Sequence, residues 1–241
     1  MRHTQLVKKL LFAAPLLFLA LLPARPACAA DQPAAAGNLQ QVLAQLDQAS
    51  KGFRTATADF ESKSIQTEPV PDTDIMTGTV YYERRGGQER MAAHVTQRDG
   101  HPYGMDYNYV RGVFQLYDHQ LNQVRKMQNA SNFGGYVKLG FGTSGKGLQD
   151  DFQVSYLGQE TIDGVKTDKL QLIFKDPKIR NTIPKVTIWI DPVRDVSLKQ
   201  VFDLGQGMSK TITFSNIQVN RSVPSSAFSF KTNKQTQFIN Q

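Results

Sequence analysis

A mainly β (α+β) fold is predicted for this chain: a single open, strongly curved antiparallel β-sheet, a half-barrel, led by one N-terminal amphipathic helix. Three observations carry the prediction. Short runs of alternating apolar and polar residues recur from Arg54 to Val219, turn-forming pairs such as Gly86-Gly87 and Asp163-Gly164 separate them, and clear helical spacing occurs only once. A doubly wound nucleotide-binding fold would need helices between its strands, and those are missing.

The helix comes first. Leu39, Val42, Leu43, Leu46 and Ala49 recur at helical spacing, with Asn38 placed to cap the start and Gly52 to end it. From Arg54 the spacing changes to alternation, Ala56, Ala58 and Phe60 on one face and Thr57, Asp59 and Glu61 on the other. A turn at Pro69 and Pro71 leads to a strand over 75–85, in which Met76, Val80, Tyr82 and Arg84 share a face. Gly86-Gly87 turns the chain into 89–97, and a meander follows over 105–110, 113–117 and 123–127. Residues 128–151 break the rhythm: they are Gly-rich and offer one short helix, from Phe133 to Leu139. Strands resume at 152–158, 166–175, 184–191, 196–204 and 210–219. Short antiparallel strands at regular spacing curl into an open barrel.

The first thirty residues read as a cleavable secretory signal peptide. Arg2, Lys8 and Lys9 precede an apolar run from Leu10 to Leu22, and small residues follow at Ala27, Cys28, Ala29 and Ala30. The run is interrupted by Pro15 and stopped by Pro23 and Arg25, short of the ~20 apolar residues of a membrane span. Cleavage after Ala29 or one residue later would discard Cys28, the one cysteine, leaving no disulfide, thiolate metal site or cysteine nucleophile. The competing reading keeps Cys28 as an acylated membrane anchor, for which Arg25, three positions ahead of it, is a poor match. The expected boundaries are therefore signal 1–30, leader 31–37, folded domain 38–232, and a polar, frayed tail 233–241.

Export also changes the charge argument. Of 28 Lys and Arg, Arg2, Lys8, Lys9 and Arg25 leave with the signal, so 24 basic residues face 21 acidic ones. No basic stripe remains for nucleic acid.

Motifs for catalysis fail on context. Gly140-Phe141-Gly142-Thr143-Ser144-Gly145 fits a dinucleotide fingerprint, and Gly140 to Lys146 starts a phosphate loop, but Gly147 stands where Ser or Thr should bind magnesium. A flexible connection is expected there. His94, His101 and His119 show no metal-ligand spacing and read as solvated or turn residues. Asp72/Asp74 and Asp150/Asp151 read as solvated loop acids, and no Gly-x-Ser-x-Gly elbow occurs. No catalytic residue, metal or cofactor is implied.

What remains is apolar: Phe60, Tyr82, Tyr107, Tyr109, Phe114, Tyr117, Trp189, Phe202 and Phe214. Most such residues form core, but a strongly curved sheet encloses more volume than one helix fills, so part of its inner face can line a ligand cavity. Arg84 stands out on that face, where a charge is costly unless it is paired or lies at a mouth.

The segment Val110-Arg111-Gly112-Val113-Phe114-Gln115-Leu116-Tyr117-Asp118, followed by Gln123-Val124, resembles a recurrent stretch of the LolA-type periplasmic outer-membrane lipoprotein carriers. The first helix running into Ala58-Asp59-Phe60, Gly78-Thr79-Val80-Tyr81-Tyr82 ending in Arg84-Arg85, Ile188-Trp189-Ile190-Asp191 and Phe214-Ser215-Asn216-Ile217 follow in family order. The resemblance implies a sheet closed by short helices as plug or lid, and a carrier that takes lipoprotein acyl chains from an inner-membrane exporter to an outer-membrane receptor. It also implies an arginine that governs lid closure and transfer, matching Arg84 or Arg85. The facing argument prefers Arg84.

The expected lipid-binding and lid-control set is Arg84, Val80, Tyr82, Phe60, Tyr107, Tyr109, Phe114, Leu116 and Trp189, in a monomeric periplasmic carrier. The Pro that usually follows the arginine is absent, the next aromatic is replaced by the polar run Gly86 to Arg90, and the Pro-Gly after the last strand is missing. Relatives of this fold carry other lipids or glycolipids or serve as envelope-stress sensors, which are the alternative functions, and a hydrolase with an unrecognised carboxylate pair is a third. An acyl chain of ~14 methylenes would contribute about 11 kcal/mol on burial.

Overall fold

The computed structural model describes residues 32–127 and 139–240. Helix α1 (Gln32–Gly52) precedes six strands: β1 (Thr55–Gln66), β2 (Asp72–Arg85), β3 (Gln88–Arg98), β4 (His101–Val110), β5 (Val113–Asp118) and β6 (Gln123–Met127). Helix α2 (Gly145–Asp151) leads into β7 (Phe152–Ile162) and β8 (Val165–Phe174). Then come α3 (Pro177–Thr182), β9 (Lys185–Asp191), β10 (Val196–Gly205), β11 (Met208–Val219), a 3₁₀ turn at Ser225–Phe228 and β12 (Gln237–Asn240).

All twelve strands form one sheet in the order β12-β6-β5-β4-β3-β2-β1-β11-β10-β9-β8-β7. Every pair is antiparallel except β12 with β6. The predicted mainly β, open antiparallel fold is the observed one. Five hairpins turn on two residues of positive φ, among them Asp163-Gly164 and Gln206-Gly207, the geometry whose twist matches that of paired strands.

Alternation decides the two faces. Inward go Ala56, Ala58 and Phe60 of β1, Val80 and Tyr82 of β2, and Leu170, Leu172 and Phe174 of β8. Helix α1 lays Val42, Leu43 and Leu46 onto Leu170, Ile188 and their neighbours, and Leu46 is 0% exposed.

Three sequence expectations are corrected and one element is added. Helix α1 begins at Gln32, so the expected leader 31–37 is largely helical and Asn38 lies inside the helix; Pro suits a first helical turn and the Ala run 34–36 favours its continuation. The expected flexible connection after Gly140 is instead buried. Leu139, Phe141, Gly145 and Leu148 are all shielded, Phe141 bridges to Val196, and Ser144 caps α2 by accepting from the Gly147 N–H. The tail is not frayed, because Gln237–Asn240 pair with the open edge of β6. Short α3, unforeseen, is capped by Asp176 with Pro177 in its first turn. The expected helix at Phe133–Leu139 lies almost wholly outside the described residues.

The C-terminal segment forms a strap across the outer face of the β2–β6 half. Ala227 and Phe228 cover Ala92, the Phe230 ring lies 5.7 Å from that of Tyr117, and the Gln237 N–H donates to the Asn122 carbonyl at 3.0 Å. His94 and His119, expected to be solvated, are instead engaged here through a shared acid. His94 Nδ1 and His119 Nε2 each lie 2.9 Å from the Asp106 carboxylate, and His94 Nε2 lies 2.8 Å from the Ala227 carbonyl oxygen. Both partners of the His94 ring are acceptors, so its two nitrogens both donate only when it is the imidazolium. The bond to Asp106, reinforced by Ala227 against burial, holds the His94 pKa above its ordinary value.

Candidate functional site

Between the inner face of β1–β3 and that of β10–β11 lies a cavity of about 350 Å³. Phe60, Val80, Met91, Ala93 and Phe114 form one wall, Phe202, Leu204, Ile212 and Phe214 the other, and Gly140-Phe141 and Ile183 close the top. The alternation of each strand produces this lining. Lys210, Ile212 and Phe214 share a face of β11, as Gln200, Phe202 and Leu204 do on β10, and Phe60 stands in register with Phe214. The size falls within the roughly 300–1,000 Å³ of small-molecule sites.

The cavity's roof is held by Arg84. Its Nη1 donates to the Ser50 carbonyl at the end of α1 at 3.1 Å, and its Nη2 donates to the Gly142 carbonyl at 2.6 Å. Glu89 neutralises it, accepting from Nε at 3.1 Å and from Nη2 at 3.0 Å, and also accepts from the Tyr82 hydroxyl at 2.9 Å. The guanidinium thus ties strand β2, the helix terminus and the Gly140–Gly145 segment together, its charge favourable beside the carbonyl end of a helix. Burial and the neighbouring Glu89 push the Tyr82 phenol well above its usual range, so it stays a donor.

Two glycines make this closure possible. A Cβ on Gly145 would stand 2.2 Å from the Leu43 carbonyl oxygen of α1. One on Gly142, whose φ is +66°, would stand 2.5 Å from the Phe53 ring.

Beside this lock sits Asp195, 1% exposed, with neither carboxylate oxygen hydrogen-bonded. Burial pushes its pKa up to about 7, with Asp47 adding to the rise and Arg84 opposing it. Its backbone carbonyl accepts from the Gly142 N–H at 3.0 Å, fixing the roof from the other side.

Of the expected residues, Phe60, Val80 and Phe114 line the cavity. Tyr82 lies just behind it, wedged between Phe53 and Phe141 with ring centroids at 5.7 and 6.5 Å. Arg84, not the exposed Arg85, shares the inward face of Val80 and Tyr82. Tyr107, Tyr109 and Leu116 flank Phe114 on the inner faces of β4 and β5 but do not border the cavity.

Trp189 is a correction. It lies on the outer face, its indole N–H donating to Glu160 at 2.8 Å and its ring flanked by the Lys169 and Lys199 ammoniums. Its neighbours Ile188 and Ile190 face inward, which sends Trp189 outward, a signal that the alternation contains. Met91, Ala93, Phe141, Gln200 and Lys210 escape sequence reasoning because their placement depends on pairing between distant segments.

Among the described residues, no helix is long and apolar enough to cross a membrane, and no group of three His, Cys, Asp or Glu is placed to hold a metal ion.

No protein-family model matches the chain. It is 31% identical over 168 residues to an uncharacterised protein of Methanocaldococcus jannaschii, covering 70% of this chain and 46% of that one, so it spans about half of the relative's length. Among solved structures it is similar to an uncharacterised conserved protein of Thermus thermophilus, with TM-score 0.54 and 10% identity over 85% of this chain and 99% of the other. It is also similar to MucB, with TM-score 0.52 and 10% identity over 84% of this chain and 66% of the other. A LolA superfamily protein from Nitrosomonas europaea matches with TM-score 0.41 and 13% identity over 80% and 97% of the two chains. The likeness to the Thermus thermophilus protein and to MucB shows a shared fold, an open antiparallel sheet with a helix laid on its inner face, the architecture that the sequence predicted.

Proposed function

We propose that this protein binds lipid acyl chains in the cavity between β1–β3 and β10–β11, as a periplasmic carrier exported by a cleavable signal. The observation that carries this reading is the cavity itself, about 350 Å³ walled by Phe60, Val80, Met91, Phe202 and Phe214. Apolar surface left unfilled next to a packed core is stabilised by an apolar occupant. The resemblance to lipoprotein carriers narrows the cargo to lipoprotein acyl chains, received from an exporter and delivered to an outer-membrane receptor.

A carrier must also release its load, and Arg84 supplies the means. Its bonds to Ser50, Gly142 and Glu89 stabilise the closed, empty state, so they compete with cargo that lifts the roof. Arg84→Leu is expected to fold and bind apolar ligand but to pass it on about tenfold or more slowly, since hydrogen bonds of a charged group at this site are lost from the empty state. Transfer from the loaded protein to acceptor vesicles at the wild-type rate would remove Arg84 from the mechanism. Native mass spectrometry of protein recovered from its own periplasm tests the wider reading. A co-purifying lipoprotein supports the shuttle, a free lipid supports carriage or sensing of another lipid, and an empty cavity that also fails to take up an apolar dye overturns both.

A further inference from the structure

Two polar side chains interrupt the apolar wall. Gln200 is 3% exposed, and its amide makes no hydrogen bond with any described residue although it borders the cavity. It lies against Gly140, where a Cβ would come within 3.3 Å of its nitrogen. Lys210 is half-buried on the same wall; among the described residues it is the one charged residue lining the cavity, and its ammonium has no carboxylate or other hydrogen-bond partner there. The two are ordered. Gln200 is in register with Ile212 and Phe202 with Lys210, so Lys210 springs from the backbone one inward-facing row, ~7 Å, nearer the Gln206-Gly207 hairpin than Gln200. Beyond Gln200, in the opposite direction, come Phe214 and its partner Phe60.

An amide and an ammonium that face the same apolar cavity without a protein partner can both be satisfied by one ligand. Building on the acyl-chain reading, we propose that the cavity takes a single-chain anionic amphiphile. Its acid head meets Lys210, an ester carbonyl between head and tail accepts from the Gln200 amide, and the hydrocarbon runs on between Phe60 and Phe214. The head at a half-buried lysine keeps contact with water, while the chain beyond it does not.

Competition against an apolar dye with three 14-carbon probes tests this: 1-myristoyl-lysophosphatidate, monomyristoylglycerol and myristate. The wild type is expected to prefer lysophosphatidate to the neutral monoglyceride by about tenfold at low salt, the worth of a charge-assisted hydrogen bond, and less at high salt. Lys210→Gln should remove that preference, and a far-ultraviolet circular dichroism spectrum like that of the wild type shows that the variant folds. Gln200→Leu should weaken both ester-bearing probes and spare myristate. Equal wild-type affinity for the charged and neutral probes, or a preference that survives Lys210→Gln, overturns the assignment while leaving the acyl-chain reading intact. If neither the dye nor any probe binds, the acyl-chain reading itself falls.

Discussion

Strands β8 and β9 turn Leu170, Leu172 and Ile188 toward Leu43 and Leu46 of α1, and the space between them is filled. Strands β1 to β3 turn Phe60, Met91 and Ala93 inward in the same alternation, toward a cavity. The difference is one of coverage. A single helix is about 10–12 Å across and cannot span both halves of a twelve-stranded curved sheet. It fills one half, and among the described residues the other is closed on its inner side by the Gly140–Gly145 segment and Ile183, while the C-terminal strap covers its outer side.

The buried acids of the two regions differ as well. Asp195, under α1 and Arg84, has no hydrogen-bond partner, and burial raises its pKa. Asp106, under the strap, is also penalised by burial, yet its bonds from His94 and His119 hold its pKa below the ordinary value. Similar shielding therefore gives opposite proton affinities, because hydrogen bonds to the charged form outweigh desolvation in one case and are absent in the other.

The largest test removes or adds volume. Leu46→Ala in the filled half is expected to cost about 2–5 kcal/mol, because the lost side chain leaves a void in close packing. Ala93→Leu in the open half adds volume to a void and is expected to cost less than about 1 kcal/mol while abolishing apolar dye binding. Equal losses in urea unfolding would mean that the cavity is packed as tightly as the core.

Asp195→Asn comes next. An acid whose folded pKa is about 7 against an ordinary value of 3.8 loses stability as pH rises from about 4, fully by pH 7 and above. The wild type should therefore be less stable at pH 8 than at pH 5 by up to about 3 kcal/mol from this group alone, and the asparagine variant should lose most of that difference. Asparagine tolerates the positive φ of this position. Parallel pH profiles for the two proteins would show that Asp195 does not titrate in this range.

The smallest effect belongs to His94→Gln. The raised His94 pKa gives a contribution fully present below about 6.5 and lost as pH rises through the folded value. The substitution is expected to cost about 1 kcal/mol at pH 6 and nothing at pH 9. Hydrogen exchange of the Ala227 and Ser229 amides, compared between variant and wild type at each pH, reads it directly.

Much of the scaffold is legible in the residue pattern. Alternation and Gly-containing turns place the strands, and the facing argument chooses Arg84 over Arg85. Trp189 is misplaced when an aromatic among apolar residues is weighed by type and not by parity, although its neighbours carry the answer. The Gly140–Gly145 segment is misread for a different reason: its composition is that of a loop, and only contact with Phe53, Leu43 and Val196 makes it core.

The sequence by itself determined the period of each element, the turns between them and which side chains share a face, since these follow from backbone geometry over a few residues. The tertiary structure alone decided that α1 covers half of the inner face, that Gln200 and Lys210 share one cavity with Phe60, that the tail straps the outer face, and that His94 and His119 share Asp106. Those pairings join residues from about a dozen to more than a hundred positions apart, and no local pattern encodes which distant surface each face will meet.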